Sequence, residues 1–165
     1  MALFFVSGLG DMARCISVIS DTHGLLREQV KSRLHGCDMI IHAGDVDSPS
    51  VLAQLKQIAP VVAVRGNMDR GSWARQLEES EYVDIEGAGI YVIHNRSRLD
   101  VRSLPTGTKV VVYGHSHKPH IEYVGDVLHL NPGSAGPRRF NLPVSMAMLH
   151  IQADNIQPEL IEIAV

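Results

Sequence analysis

The chain has 165 residues and a net charge of −3, with 45% hydrophobic and 20% charged side chains. That length suits one domain around one core, and that balance excludes wholesale disorder. The 15 lysines and arginines are scattered rather than striped, which disfavours nucleic acid as a bulk partner but not a single phosphate group in a pocket.

No apolar run approaches the ~20 residues that a membrane-spanning helix needs, so no membrane association is expected. The apolar N-terminal stretch, Ala2 to Val6, stops at Ser7-Gly8 and has no basic residues before it, unlike a secretory signal. Residues 1–13 therefore read as a leader, which can be disordered or non-native, ahead of a single domain over 14–165. Two cysteines, Cys15 and Cys37, are too few for a disulfide framework or a thiolate metal site. They read as reduced core cysteines of a cytoplasmic protein.

In chain order, residues 15–20 read as a buried strand and 25–34 as a helix. Residues 38–43 are strand-like again, 49–58 helical with Pro49 near the start, and 61–64 a third strand. This β-α-β-α-β order implies right-handed crossovers and parallel neighbouring strands. Residues 82–86 and 90–93 read as a hairpin across Gly87 to Gly89, and 109–113 as another buried strand. A second hairpin joins 120–124 to 127–130 across Gly125-Asp126, and 145–151 and 156–163 complete a strand-rich second half. So many strands exceed one open sheet. The expected fold is α/β, an α-β-β-α sandwich of two mixed sheets.

Polar residues cluster at the strand ends. Asp21 and His23 follow the first strand, Asp45 the second, and Asn67 and Asp69 the third. His94 follows the 90–93 strand, and His115 and His117 follow 109–113. The carboxyl edge of α/β strands is where ligand sites assemble. Taken singly, Asp21 or Asp45 could cap a helix, Asn67 could be a turn residue and His94 a boundary histidine. Asp47, just before Pro49, reads as a helix cap. Capping and turn roles do not explain why five strands end alike. Imidazoles, carboxylates and an amide oxygen without thiolate suit Mn, Fe, Ni or Zn, whereas Mg prefers an all-oxygen shell. So many ligands exceed one ion but suit two ions roughly 3.5–4 Å apart.

In order, Asp21-Thr-His23, Gly44-Asp45, Gly66-Asn67-Met-Asp69, His94 and Gly114-His-Ser-His117 resemble the calcineurin-like metallophosphoesterase superfamily. The short chain and Asn131-Pro-Gly-Ser134 are similar to its small single-domain phosphodiesterase branch, which also includes a eukaryotic retromer subunit that serves as a scaffold. The resemblance implies a four-layer α-β-β-α sandwich and two divalent transition metals, manganese foremost. It places one metal on Asp21, His23, Asp45 and His117 and the other on Asp45, Asn67, His94 and His115, with Asp45 bridging. It also implies hydrolysis of a small phosphoester by a metal-bridging hydroxide, with Asp45, Asn67, Asp69 and His94 as catalytic residues and Asp69 orienting rather than ligating. Homo-oligomerisation is compatible with all of this.

Two positions depart from the family pattern. Met68 stands where many members carry a histidine, and it cannot protonate a leaving group. Asn95-Arg96 replaces a Gly-His pair, so Arg96 either joins Asn67 in contacting phosphate or is an exposed loop residue. His120 is the first candidate for a substitute acid, unless it merely starts a strand. The rival reading is a non-catalytic scaffold of the same fold.

Overall fold

The computed structural model describes residues 3–6 and 13–165. Its elements are β1 (Leu3–Val6), β2 (Arg14–Ile19), α1 (Glu28–Leu34), β3 (Met39–His42), α2 (Pro49–Lys56), β4 (Val61–Ala63), β5 (Ser80–Ile85) and β6 (Ala88–Ile93). They continue with β7 (Thr108–Val112), β8 (His120–Val124), β9 (Val127–Asn131), β10 (Ser145–Gln152) and β11 (Asn155–Glu162). One sheet has the order β1-β5-β6-β7-β9-β8, the other β11-β10-β2-β3-β4. Both are mixed. β2, β3 and β4 are parallel, as are β6, β7 and β9, while β10 and β5 pair antiparallel with β2 and β6.

Alternation along the strands builds two cores. Ile16, Val18 and Ile41 of one sheet meet Val83, Ile90, Val110 and Leu128 of the other in the layer between them. The opposite face of the five-stranded sheet packs Ile40 and Met146 against Val30 and Leu34 of α1 and Val51 and Leu55 of α2. The crossover between parallel β6 and β7 carries two short 3-10 turns, Arg96–Arg98 and Val101–Ser103.

Element ends shift for local reasons. Helix α1 starts three residues later than residue 25, because Leu25 N–H closes a turn onto Thr22 O (2.8 Å) and Gly24 N–H bonds Val46 O (2.8 Å). Helix α2 starts at Pro49 as expected, but its cap is Ser48, whose Oγ accepts from Ser50 N–H (3.2 Å). The helix-capping role assigned to Asp47 is therefore corrected. Cys15 and Cys37 are free, but half-buried rather than in the core. Within the expected leader, Leu3–Val6 pairs parallel with Tyr82–Ile85, while residues 1, 2 and 7–12 lie outside the described residues. No helix among the described residues is long and apolar enough to cross a membrane.

Candidate metal centre

Five strands (β2, β3, β4, β6 and β7) run in the sense that brings their carboxyl ends to one edge of the sandwich. The loops there are stitched by backbone bonds: Asp21 N–H to Gly44 O (3.0 Å), His23 N–H to Asp45 O (3.0 Å) and Gly114 N–H to His94 O (3.0 Å). Two further bonds cross between the sheets, His115 N–H to Asp21 Oδ2 (3.1 Å) and His94 Nδ1–H to Ala43 O (2.7 Å). Close approach needs missing side chains. A Cβ on Gly44, whose φ is +94°, would lie 2.6 Å from His94 Nδ1, and one on Gly66 would lie 2.1 Å from Asp45 Oδ1.

The backbone is strained where chemistry is concentrated. Asp21, His23, Asp45, Asp47, His115 and His117 all adopt positive φ, between 45° and 70°. Asp and His tolerate this region better than most residues, yet each instance costs about 1–3 kcal/mol and persists only where the surroundings enforce it.

All seven expected ligands meet at this edge. In one half, His117 Nε2 lies 3.2 Å from Asp21 Oδ1 and 3.2 Å from His23 Nε2, with the two rings stacked at 5.1 Å. In the other, Asn67 Oδ1 lies 2.9 Å from His115 Nδ1 and 3.1 Å from His94 Nε2. Asp45 sits between them, its Oδ2 4.0 Å from His23 Nε2 and 3.4 Å from His94 Nε2. Among the described residues, Asp21, His23 and His117 form one group whose ligand atoms lie within 4.8 Å of one another, and Asp21, Asp45 and His94 form a second.

Hydrogen positions show that this donor set fits a cation. His94 Nδ1 must carry its proton, because a carbonyl can only accept, and His23 Nδ1 likewise donates to Asp47 Oδ2 at 2.7 Å. In its neutral form each ring turns an Nε2 lone pair toward carboxylate and amide oxygens that also only accept. Asp21 Oδ1, fully buried, has no hydrogen-bond partner. Lone pairs converging on one space call for a cation between them. Without one, a proton substitutes. Burial opposes charge on His94, but its hydrogen bond to Asp45 and the charges of Asp45 and Asp21 raise its pKa above the ordinary value. Burial likewise opposes ionisation of Asp45, yet His94, the Met68 N–H (2.8 Å) and the charge on His23 hold it below the usual carboxylate range.

The remaining expected residues are placed as follows. Asp69 turns both oxygens to backbone amides. Its oxygens accept from Asp47 N–H (2.7 Å) and Gly66 N–H (2.8 Å), clipping two ligand loops together, and burial pushes its pKa up. Arg96 ion-pairs with Glu122, reaches Tyr113 Oη at 3.3 Å and lies over that ring at 5.3 Å. Its charge is thus already partnered. His120 begins β8, is exposed, and lies 3.6 Å from Glu122 Oε2.

Several supporting residues escaped the sequence reading. Asp47 orients His23. Asn131 Nδ2 donates to Gly114 O (2.9 Å), and Ser134 Oγ donates to Asp21 O (2.9 Å), bracing loops from both sheets. His42 is fully buried, accepts from Gly44 N–H (3.2 Å) and contacts Thr22 Oγ1 (2.9 Å), and burial pushes its pKa down to about 4. Only the Asn-Pro-Gly-Ser stretch had signalled itself in the sequence.

Residues 15–154 match the model of the calcineurin-like phosphoesterase superfamily domain. A probable metallophosphoesterase of Methanothermobacter thermautotrophicus is 34% identical over 158 residues, covering 88% of this chain and 91% of its own. The structure of YfcE, a phosphoesterase from Escherichia coli, superposes with a TM-score of 0.65 and 26% identity, covering 91% of this chain and all of its own. Wild-type Vps29 of Entamoeba histolytica, complexed with zinc, shares the fold at a TM-score of 0.72 and 22% identity, covering 90% and 98% of the two chains. The chain belongs to the calcineurin-like phosphoesterase superfamily.

Proposed function

We propose that this protein is a dinuclear metal-dependent phosphodiesterase that hydrolyses a small phosphoester in the cytoplasm. The observation that carries this reading is the buried Asp21 Oδ1, which has no hydrogen-bond partner and lies 3.2 Å from His117 Nε2 and 3.9 Å from His23 Nε2 across the centre. Asp21, His23, Asp45 and His117 would hold one ion, and Asp45, Asn67, His94 and His115 the other. Manganese is the first choice, with iron, nickel or zinc as substitutes. Two such cations, when bound, polarise phosphoryl oxygens and lower the pKa of water.

The protein's own groups supply orientation. Ala43 O and Asp47 fix the tautomers of His94 and His23, so that both present Nε2 to the centre. Asp69 holds the Asp45 and Asn67 loops in register through backbone amides, a positioning role. Asn67 and Arg96 are the proposed substrate contacts, with Arg96 sharing its charge with Glu122. Met68, 44% exposed beside Asp45, brings no proton to the leaving group. That favours esters whose alcohol departs without acid help.

The test uses chelator-treated protein, bis(p-nitrophenyl) phosphate and p-nitrophenyl phosphate, with each metal restored in turn. Diester turnover should return with about two metal equivalents per chain, and the monoester should be the poorer substrate. Failure of every metal to bind would favour the scaffold reading, which draws support from the shared fold with Vps29.

A further inference from the structure

A cavity of about 750 Å³ beside the centre is lined by Asn67, His94 and four arginines, Arg65, Arg70, Arg75 and Arg98. In sequence these arginines are dispersed. Folding gathers them, because Arg65, Arg70 and Arg75 lie in or beside the loop after β4, and Arg98 lies in the 3-10 turn after β6. The loop is anchored at its base by Arg65 N–H to Glu78 O (2.8 Å) and by Trp73 packed on the helical core.

Charge in this cavity is not balanced. Two carboxylates line it, Asp69 and Glu79. Asp69 spends both oxygens on backbone amides. Glu79 serves two guanidinium groups at once, Arg65 at 3.0 Å and Arg98 at 3.4 Å. Arg70 and Arg75 have no carboxylate within ion-pair distance among the described residues. Guanidinium stays charged at any working pH and matches phosphate oxygens two at a time. The surplus of two positive charges matches the charge of about −2 on a terminal phosphate better than the single charge of a carboxylate. The volume is that of a small-molecule site and exceeds what one phosphate needs.

We propose that this cavity receives one arm of the substrate and that this arm carries a second, non-scissile phosphate, so that the substrate class is a phosphodiester with a terminal phosphate on the retained side. The proposal rests on the phosphodiesterase reading and adds the identity of the arm.

Two matched esters test it: thymidine 5′-(p-nitrophenyl phosphate) and the same compound phosphorylated at the 3′ position. Scissile bond and leaving group are identical. The phosphorylated ester should show kcat/KM at least about tenfold higher, the scale of one charge-assisted contact. That ratio should collapse toward one in Arg70→Ala/Arg75→Ala and survive partly in Arg70→Lys/Arg75→Lys. Removing two charges elsewhere, in Arg33→Ala/Arg102→Ala, should leave it intact. Calorimetry of the unhydrolysed ligands provides a readout without turnover: thymidine 3′,5′-bisphosphate should bind at least about tenfold tighter than thymidine 5′-phosphate, and the double alanine variant should lose the difference. Equal affinities, or a preference that persists in that variant, would overturn the proposal while turnover of both esters left the phosphodiesterase reading standing. Absence of turnover of either ester, with metals supplied, would overturn that reading and the substrate role of the cavity with it.

Discussion

Around Asp21, His23 and His117 the centre is deep, whereas around Asn67, His94 and His115 it opens toward solvent and the arginine cavity. Asp21 is wholly buried and His117 nearly so, while Asn67 and His115 are exposed. The deep half rests on residues from both sheets, through Ser134 Oγ and the His115 N–H, and one of its two histidines, His23, is oriented by Asp47. The open half has one buried ligand, His94, and two that substrate can approach. On the proposed dinuclear reading, one half would hold its cation rigidly and the other would share its cation with a ligand. Asp45 is the carboxylate common to both.

The largest test of that division is Asp45→Asn. If the halves act as one centre through this carboxylate, kcat should fall by about 10³-fold or more, and both metal equivalents should weaken in a calorimetric titration. Retention of one full-affinity equivalent with most of the turnover would show that the halves are independent.

Next comes Met68, on the open side. Without an acid there, aryl diesters should be cleaved far faster than alkyl diesters. Met68→His should flatten that dependence, with gains up to about 10²-fold for the poorest leaving groups. Wild-type rates independent of leaving-group pKa, with chemistry rate-limiting, would point to another acid, and His120 would be the first to replace.

Asp47→Ala sharpens the comparison from the deep side. Loss of the His23 partner should weaken metal binding there by about 10–100-fold and leave the open half within a few-fold of wild type. Equal weakening of both equivalents would contradict the assignment of His23 to one half.

The smallest effect is on stability. Folded His42 stays neutral down to about pH 4, whereas an unfolded histidine protonates near 6.5. Between those values the unfolded chain binds more protons, so stability falls as pH drops from about 6.5 to about 4 and levels off below. The total is up to about 3 kcal/mol. In urea unfolding of the metal-free protein, His42→Asn should remove that slope. The opposite slope expected from His94, whose pKa is raised, is common to both proteins and cancels in their difference.

Much of this molecule was legible from residue order. β3, β8, β10 and β11 lie within a residue or two of their apolar runs, because alternation and turn glycines act locally. The seven residues that meet at the centre were legible for a related reason: each lies within a few residues of a strand end, and parallel strands bring such positions to one edge. Asp47 was misread because an acidic residue before a proline looks the same whether it caps a helix or orients an imidazole. Which one it does depends on His23, 24 residues away. Arg96 was left open between two roles, and its pairing with Glu122 and Tyr113 came only from the apposition of β7 and β8 to the turn after β6.

By itself, then, the order of residues determined the two-sheet architecture, the family and the set of groups that converge on the centre, since periodicity and strand-end position are properties of short segments. Tertiary structure alone decided the rest. It set which tautomers the histidines adopt, which carboxyl oxygen is left without a hydrogen-bond partner, and which of the dispersed arginines share a cavity. These are decided by distances of a few ångströms between residues far apart in the chain. Hydrogen bonding and charge act over those distances, and no local pattern encodes them.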